Sequence, residues 1–275
     1  MLHGMTYPIF QKRFSDSETG SISTTYGTLL TGGASDVYGS YAEVLSDATL
    51  TEDCYALSIL LHASGVSTTA RFNLATIGKD ETGGTSYSDW ISDLACGQRA
   101  NLSLGACYYY FPLYIKAGTS IAAKVRSSTA SGGTRCSIIA HGRPKYPETI
   151  WCGSKVKNFT FGAITLGQGS EGAWTAAGQA IDDNYWWWQM GANFNDTTQS
   201  TQTQVFDLSA GDASNKKHIF GEFNYGTQTT EQGISSSMLL PLPIRRVTAN
   251  DTLYIRGQCS GTPDSSCSPR AYGVV

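Results

Sequence analysis

An all-β chain is predicted, built as two tandem antiparallel β-sandwiches of jelly-roll type. Three observations predict it. Charged residues make up only 15% of the 275 residues, against roughly 25% in ordinary soluble domains. Thirty glycines and fifteen tyrosines go with abundant Ser and Thr, a composition that disfavours helix and favours short strands joined by turns. The chain also repeats itself in order. Tyr26-Gly27, Arg71-Phe72-Asn73-Leu74-Ala75, Phe111-Pro112-Leu113-Tyr114-Ile115-Lys116 and Cys136-Ser137-Ile138-Ile139-Ala140-His141-Gly142 return as Phe161-Gly162, Val205-Phe206-Asp207-Leu208-Ser209, Leu240-Pro241-Leu242-Pro243-Ile244-Arg245 and Cys267-Ser268-Pro269-Arg270-Ala271-Tyr272-Gly273. A shared offset of about 130 residues describes a duplicated domain, not a solenoid unit.

The elements follow in order. Residues 1–20 form an irregular arm with Pro8, Lys12-Arg13 and a Ser-Asp-Ser-Glu-Thr-Gly run. From residue 21 β-branched and aromatic residues alternate with small polar ones, so strands are expected at 23–30, 38–45, 54–62, 69–77, 107–115, 120–127 and 135–140. Residues 88–94, with Trp90, read as one helical turn or a strand. Asp80-Glu81-Thr82-Gly83-Gly84 and residues 128–134 carry turn chemistry. Arg143-Pro144-Lys145-Tyr146-Pro147 breaks regular structure and sets the boundary, giving sandwiches over 21–144 and 145–275. The second has strands at 158–166, 173–181, 185–194, 202–208, 218–224, 236–243, 251–258 and 270–275. Eight strands in about 130 residues suit a jelly roll; an immunoglobulin-like sandwich, normally about 100 residues, is the alternative.

Nineteen basic residues against twenty-two acidic ones give a net charge of −3. That supplies no basic field for nucleic acid or an anionic membrane. No apolar run reaches membrane-spanning length, and the start lacks a secretory pattern. No cofactor, metal or catalytic motif is expected. His3, His62, His141 and His218 have no metal-ligand spacing, no Gly-x-Ser-x-Gly or phosphate loop occurs, and Asp80-Glu81 and Asp182-Asp183 are acids at turns.

Two residue classes stand out. The aromatic runs Tyr185-Trp186-Trp187-Trp188 and Tyr108-Tyr109-Tyr110 would, in strands, turn alternate rings to opposite faces. Trp186 and Trp188 would then share one face and Tyr185 and Trp187 the other. One set fills the core, and the other is left for a subunit interface or a stacked glycan. The second class is seven cysteines without a Cys-x-x-Cys pattern. Cys259 and Cys267 enclose a turn-rich segment and would close a hairpin, as would Cys96 and Cys107. Such a bond contributes about 2–3 kcal/mol in the loop-entropy picture. Cys54, Cys136 and Cys152 remain for bonds between subunits, or as buried thiols.

The stretch Phe111-Pro112-Leu113-Tyr114-Ile115-Lys116-Ala117-Gly118-Thr119-Ser120-Ile121-Ala122-Ala123-Lys124-Val125-Arg126-Ser127-Ser128 resembles a pattern of tailed-bacteriophage structural proteins, with Phe-Pro, an Ala-Gly turn and an alternating second strand. The likeness implies a non-enzymatic virion component, made in the host cytoplasm. It would assemble as a homo-oligomeric ring or sheath at a neck or collar, or as a surface decoration, among other virion proteins. Host-glycan adhesion is the alternative function.

Overall fold

The computed structural model describes residues 10–16, 27–63, 71–98, 106–144, 152–194, 202–227, 238–239, 247–261 and 267–275. In these, every regular element is a strand. They are β1 (Arg13–Phe14), β2 (Thr28–Thr31), β3 (Ala42–Leu45), β4 (Ala56–Ala63), β5 (Arg71–Asp80), β6 (Ser88–Gln98), β7 (Ala106–Phe111), β8 (Ser120–Ser127) and β9 (Gly133–His141). The second half holds β10 (Val156–Thr160), β11 (Gly167–Gln168), β12 (Thr175–Ala176), β13 (Trp187–Phe194), β14 (Gln202–Gly211), β15 (Lys216–Thr227), β16 (Met238–Leu239), β17 (Thr252–Cys259) and β18 (Cys267–Val274).

Each half is a jelly roll by strand order. In the first, a front sheet β2–β9–β4–β7, with β1 also on β9, faces a back sheet β3–β8–β5–β6. In the second, β10–β18–β13–β16 faces a sheet in which β11 and β12 pair β17, followed by β14 and β15. Counted within each half, both read 1-8-3-6 over 2-7-4-5. Alternation builds the cores. Leu57, Ile59 and Leu61 of β4 point inward against Ile121, Ala123 and Val125 of β8, all fully buried. Phe206, Leu208 and Ala210 of β14 likewise point inward, beside Leu253 and Ile255 of the neighbouring β17 in the same sheet. The residues 88–94 are strand throughout. Their alternation is hidden by a bulge, where the partner of β5 jumps from Leu94 to Ile91 to Asp89.

The two halves share one strand order, but its register differs from the sequence match. The same double bulge occurs in β14–β15, where the partners run Phe223, Phe220, His218. Superposing the bulges equates Ala75 with Phe206, an offset of 131, whereas matching Arg71 with Val205 uses 134. The larger offset equates Asn73, which faces in, with Asp207, which faces out to Arg256. Cys136 and Cys267 do correspond, since both face inward on the last strand. Gly27 precedes the first strand of its sandwich and Gly162 follows its counterpart, so that match is not topological. Residues 240–245 and the boundary residues 145–147 lie outside the described residues.

The second sandwich closes the core of the first, while keeping a core of its own. Val156, Tyr272 and Val274, on the outer face of the second front sheet, belong to the first sandwich's core, with Trp187 packed beside them. They close the edge between β6 and β7. Tyr272 stands edge-on to Tyr109 and Phe111 at 5.6 and 6.3 Å. Its hydroxyl accepts from Ala95 N at 2.9 Å and donates to Asp93 O at 2.8 Å. Asp93 bends the β6 edge with φ 58°, and its carboxylate meets Arg126 of the first sandwich at 3.4 Å and Arg270 of the second at 3.6 Å. The Gln189 side chain acts as a surrogate strand on the β7 edge. Its carbonyl accepts from Tyr110 N at 3.1 Å and its amide donates to Tyr108 O at 3.5 Å. Backbone bonds between Gly153 and Pro112 and between Tyr114 and Gly153 complete the seam.

Candidate assembly face

The outer faces of the first sandwich's two sheets differ in chemistry. The back sheet is a polar lattice. Lys124 Nζ lies 2.8 Å from Asp89 and over the Tyr41 and Tyr38 rings at 4.5 and 5.2 Å, and Tyr41 and Tyr38 donate to Asp89 and Asp93. The front sheet carries exposed apolar side chains among polar ones. Register places Leu29 beside Arg135 and His62 in one row, and Ser137, Leu60 and Tyr108 in the next. Leu29, Leu60 and Tyr108 are 47%, 38% and 41% exposed. Three of the five large hydrophobic side chains most exposed among the described residues thus share one sheet face. Single exposed apolar residues are ordinary; here Leu29 lies in one row, and Leu60 and Tyr108 in the next, among Arg135, His62 and Ser137. Arg135, the charge in these rows, is turned onto Gly27 O at 3.1 Å.

Next to these rows lies a polar cluster that spacing along the chain did not reveal. Ser58 Oγ sits 2.7 Å from both His141 Nε2 and the Tyr108 hydroxyl. The Phe10 ring packs against His141, tilted by 33°, with ring centroids 4.7 Å apart. Burial first, and nearby Arg13 second, pull the His141 pKa down to about 4, so the ring is neutral at pH 7. A serine beside a neutral imidazole is the start of a nucleophile–base pair, but the base needs an orienting acid. His141 Nδ1 is buried without a hydrogen-bond partner among the described residues. The residues come from β4 and the end of β9, eighty-three positions apart, and only the sheet pairing unites them.

The predicted aromatic sites divide differently from simple alternation. Tyr185 and Trp188 are both fully buried in the second core, 5.5 Å apart, with Phe159 between the sheets beside them. Trp186 and Trp187 are half-buried against the first sandwich. This corrects the expectation that Trp186 would pair with Trp188 and Tyr185 with Trp187. The strand begins only at Trp187, so period two does not extend back to Tyr185. In β7 the alternation holds. Tyr109 is inward, its hydroxyl donating to Ala95 O at 2.6 Å. Tyr108 and Tyr110 face outward, and Tyr110 is covered by Trp187 at 5.8 Å. The paired acids are local supports. Asp80 accepts from Thr82 N and Ser86 N, and Asp182 holds Tyr185 Oη at 2.5 Å and Lys157 at 2.8 Å.

The cysteines require two corrections. Neither candidate pair closes a hairpin: β6 and β7 lie in opposite sheets, as do β17 and β18. Cys96 with Cys107, and Cys259 with Cys267, therefore come from facing sheets of a core, and the structure forms no disulfide among the seven thiols. Cys54 and Cys136 are fully buried, which removes them as links between subunits; burial raises both thiols, Cys54 to about 12. Cys152 is half-buried and is the accessible one of the three.

No protein-family model and no curated protein matches the chain. Among solved structures, that of Broad Bean Stain Virus is similar at 9% identity over 100% of this chain and 92% of that chain, with a TM-score of 0.38. Sulfolobus Turreted Icosahedral Virus gives 10% identity over 98% and 89%, at 0.36. The tandem CBM22-1–CBM22-2 domain of Paenibacillus barcinonensis Xyn10C gives 9% over 99% of both chains, at 0.27. Likenesses this distant bear no functional weight.

Proposed function

We propose that the chain is a non-enzymatic structural subunit of a virus particle. In its finer form the reading is a tailed-phage component that forms a ring or sheath at the neck or collar, or a surface decoration. One observation carries it: two jelly rolls are locked into a single body through Tyr272, and among the described residues Leu29, Leu60 and Tyr108 stand exposed on one sheet face of the first. A rigid body with an unpaired sticky face is suited to assembly. The Phe111–Ser128 stretch supports the phage form. It supplies β8 and the turn at Gly118, whose φ of 76° glycine adopts without strain.

Host-glycan binding is the second reading, favoured by the exposed Tyr108 ring and the half-buried Trp186–Trp187 pair. Antibody labelling of purified tailed-phage particles from the source host tests the first reading. Regular multicopy labelling of a joint or surface supports it. Particles without the chain, together with glycan binding abolished by Tyr108→Ala, would replace it with the second.

A further inference from the structure

Residues 10–16 form a strap across the end of β9. Gln11 N–H donates to Arg143 O and Gly142 N–H donates to Lys12 O, both at 3.0 Å. Asp16 fastens one end by accepting from Ser46 N–H at 2.6 Å, and Lys12 pairs with Glu52. Within the strap, Phe10 and Arg13 converge on one side chain, His141. Arg13 is its cross-strand partner, so the two side chains leave the sheet on the same face. The Phe10 ring covers the imidazole at 4.7 Å.

The rest of the surroundings are neutral. β4 contributes Ser58, whose Oγ lies 2.7 Å from His141 Nε2, with the Tyr108 hydroxyl of β7 behind it. β7 also contributes the Tyr110 ring at 6.0 Å. His141 is 7% exposed, and its Nδ1 is buried without a hydrogen-bond partner among the described residues. Such a site accepts a neutral imidazole and opposes an imidazolium. A protonated ring has two N–H donors, and here Nδ1–H would find no acceptor. The charge would be cut off from water and would stand opposite cationic Arg13. Two of the groups that oppose it, Phe10 and Arg13, belong to the strap itself. Lifting the strap admits water and removes Arg13 in one movement.

We propose that the strap is an acid-released latch: proton uptake by His141 drives residues 10–16 off the front sheet and uncovers the end of β9, while both sandwiches stay folded. Release deprives Gly142 N–H and Arg143 O of their partners and opens the Ser58–His141 pair to solvent. The pH window follows from the ring. Docked, its pKa is about 4; free, it returns to the ordinary 6.5. Docking is at full strength above about 6.5 and weakens as pH falls toward 4. From pH 7 to about pH 5 the opening equilibrium should rise about 25-fold.

Hydrogen exchange of the full-length chain, read by mass spectrometry and corrected for the intrinsic effect of pH, measures this at residues 10–16. Wild type should lose about 25-fold in protection there over that range, while β14 and β17 keep theirs. His141→Gln keeps a polar side chain beside Ser58 but does not titrate, so its strap should be equally protected at both pH values. Arg13→Glu, at an exposed position, sets a carboxylate opposite the imidazolium, and the loss should shrink or reverse. Unchanged protection in wild type, or the same loss in His141→Gln, overturns the proposal. So does a loss shared by β14 and β17, which is general acid unfolding. Should His141→Gln not fold, Arg13→Glu decides, and a loss equal to that of wild type overturns the latch.

Discussion

Replacing Tyr272 by Phe probes the joint on which the rigid two-sandwich body depends. The ring stays, so its edge-on packing on Tyr109 and Phe111 is kept. Only the hydroxyl is lost, and with it the acceptor for Ala95 N and the donor to Asp93 O. Tyr272 is completely buried, so water cannot replace it. Two backbone groups are then left unsatisfied at about 1 kcal/mol or more each, which sums to about 2–3 kcal/mol. For a chain of this length that is a fall in melting temperature of roughly 4–5 °C. Urea unfolding followed by tryptophan fluorescence and by circular dichroism reads it directly. Wild type and Tyr272→Phe should each unfold in one coincident transition, because Val156, Tyr272 and Val274 of the second sandwich are part of the first sandwich's core. Tyr272→Ala should also open a cavity at the seam and split the transition in two. A Tyr272→Phe protein within about 0.5 kcal/mol of wild type would refute the view that these bonds hold the joint.

Other perturbations test neighbouring parts of the account. A Cβ on Gly191 would lie 2.7 Å from Tyr109 Oη and 3.1 Å from Ala95 Cβ, so Gly191→Ala should destabilise by about 1–3 kcal/mol, read in the same urea titration. His141 is held neutral, with its pKa down at about 4 against 6.5 for the free side chain. The unfolded chain therefore binds this proton first as pH falls. The stabilisation is complete above about 6.5 and is lost progressively toward 4, by up to about 3 kcal/mol. Melts between pH 7 and 4.5 should show this loss, and His141→Gln should flatten it; an equal slope in both proteins would count against it. Thiol labelling should find Cys152 reactive in the native chain and all seven cysteines reactive in denaturant. Five in denaturant would reveal one disulfide.

Much of the architecture was legible because its cause is local. Alternation in Leu57-Ser58-Ile59-Leu60-Leu61 marks β4, and the Ala117-Gly118 turn marks the entry to β8. What was hidden depends on pairing between distant strands. Ser92 and Asp93 sit in a bulge, so the alternation of β6 breaks and a helical turn competes. Consecutive cysteines looked like hairpin partners because sequence neighbours usually pair, but the jelly roll sends strands five and six, and seven and eight, to opposite sheets. The 134-residue offset matched similar letters while exchanging inside and outside, since an error of three residues reverses strand parity. The joint had no signature, because Tyr272 and Ala95 are 177 positions apart. The Ser58–His141 contact was invisible for the same reason.

The central claim is that the chain is an assembling subunit, and sedimentation velocity of the full-length protein across a hundredfold concentration range tests it most directly. The account predicts species well above the 29.5 kDa monomer that grow with concentration and are lost in Leu60→Asp. A single monomer at every concentration, unchanged by Leu60→Asp, would contradict it.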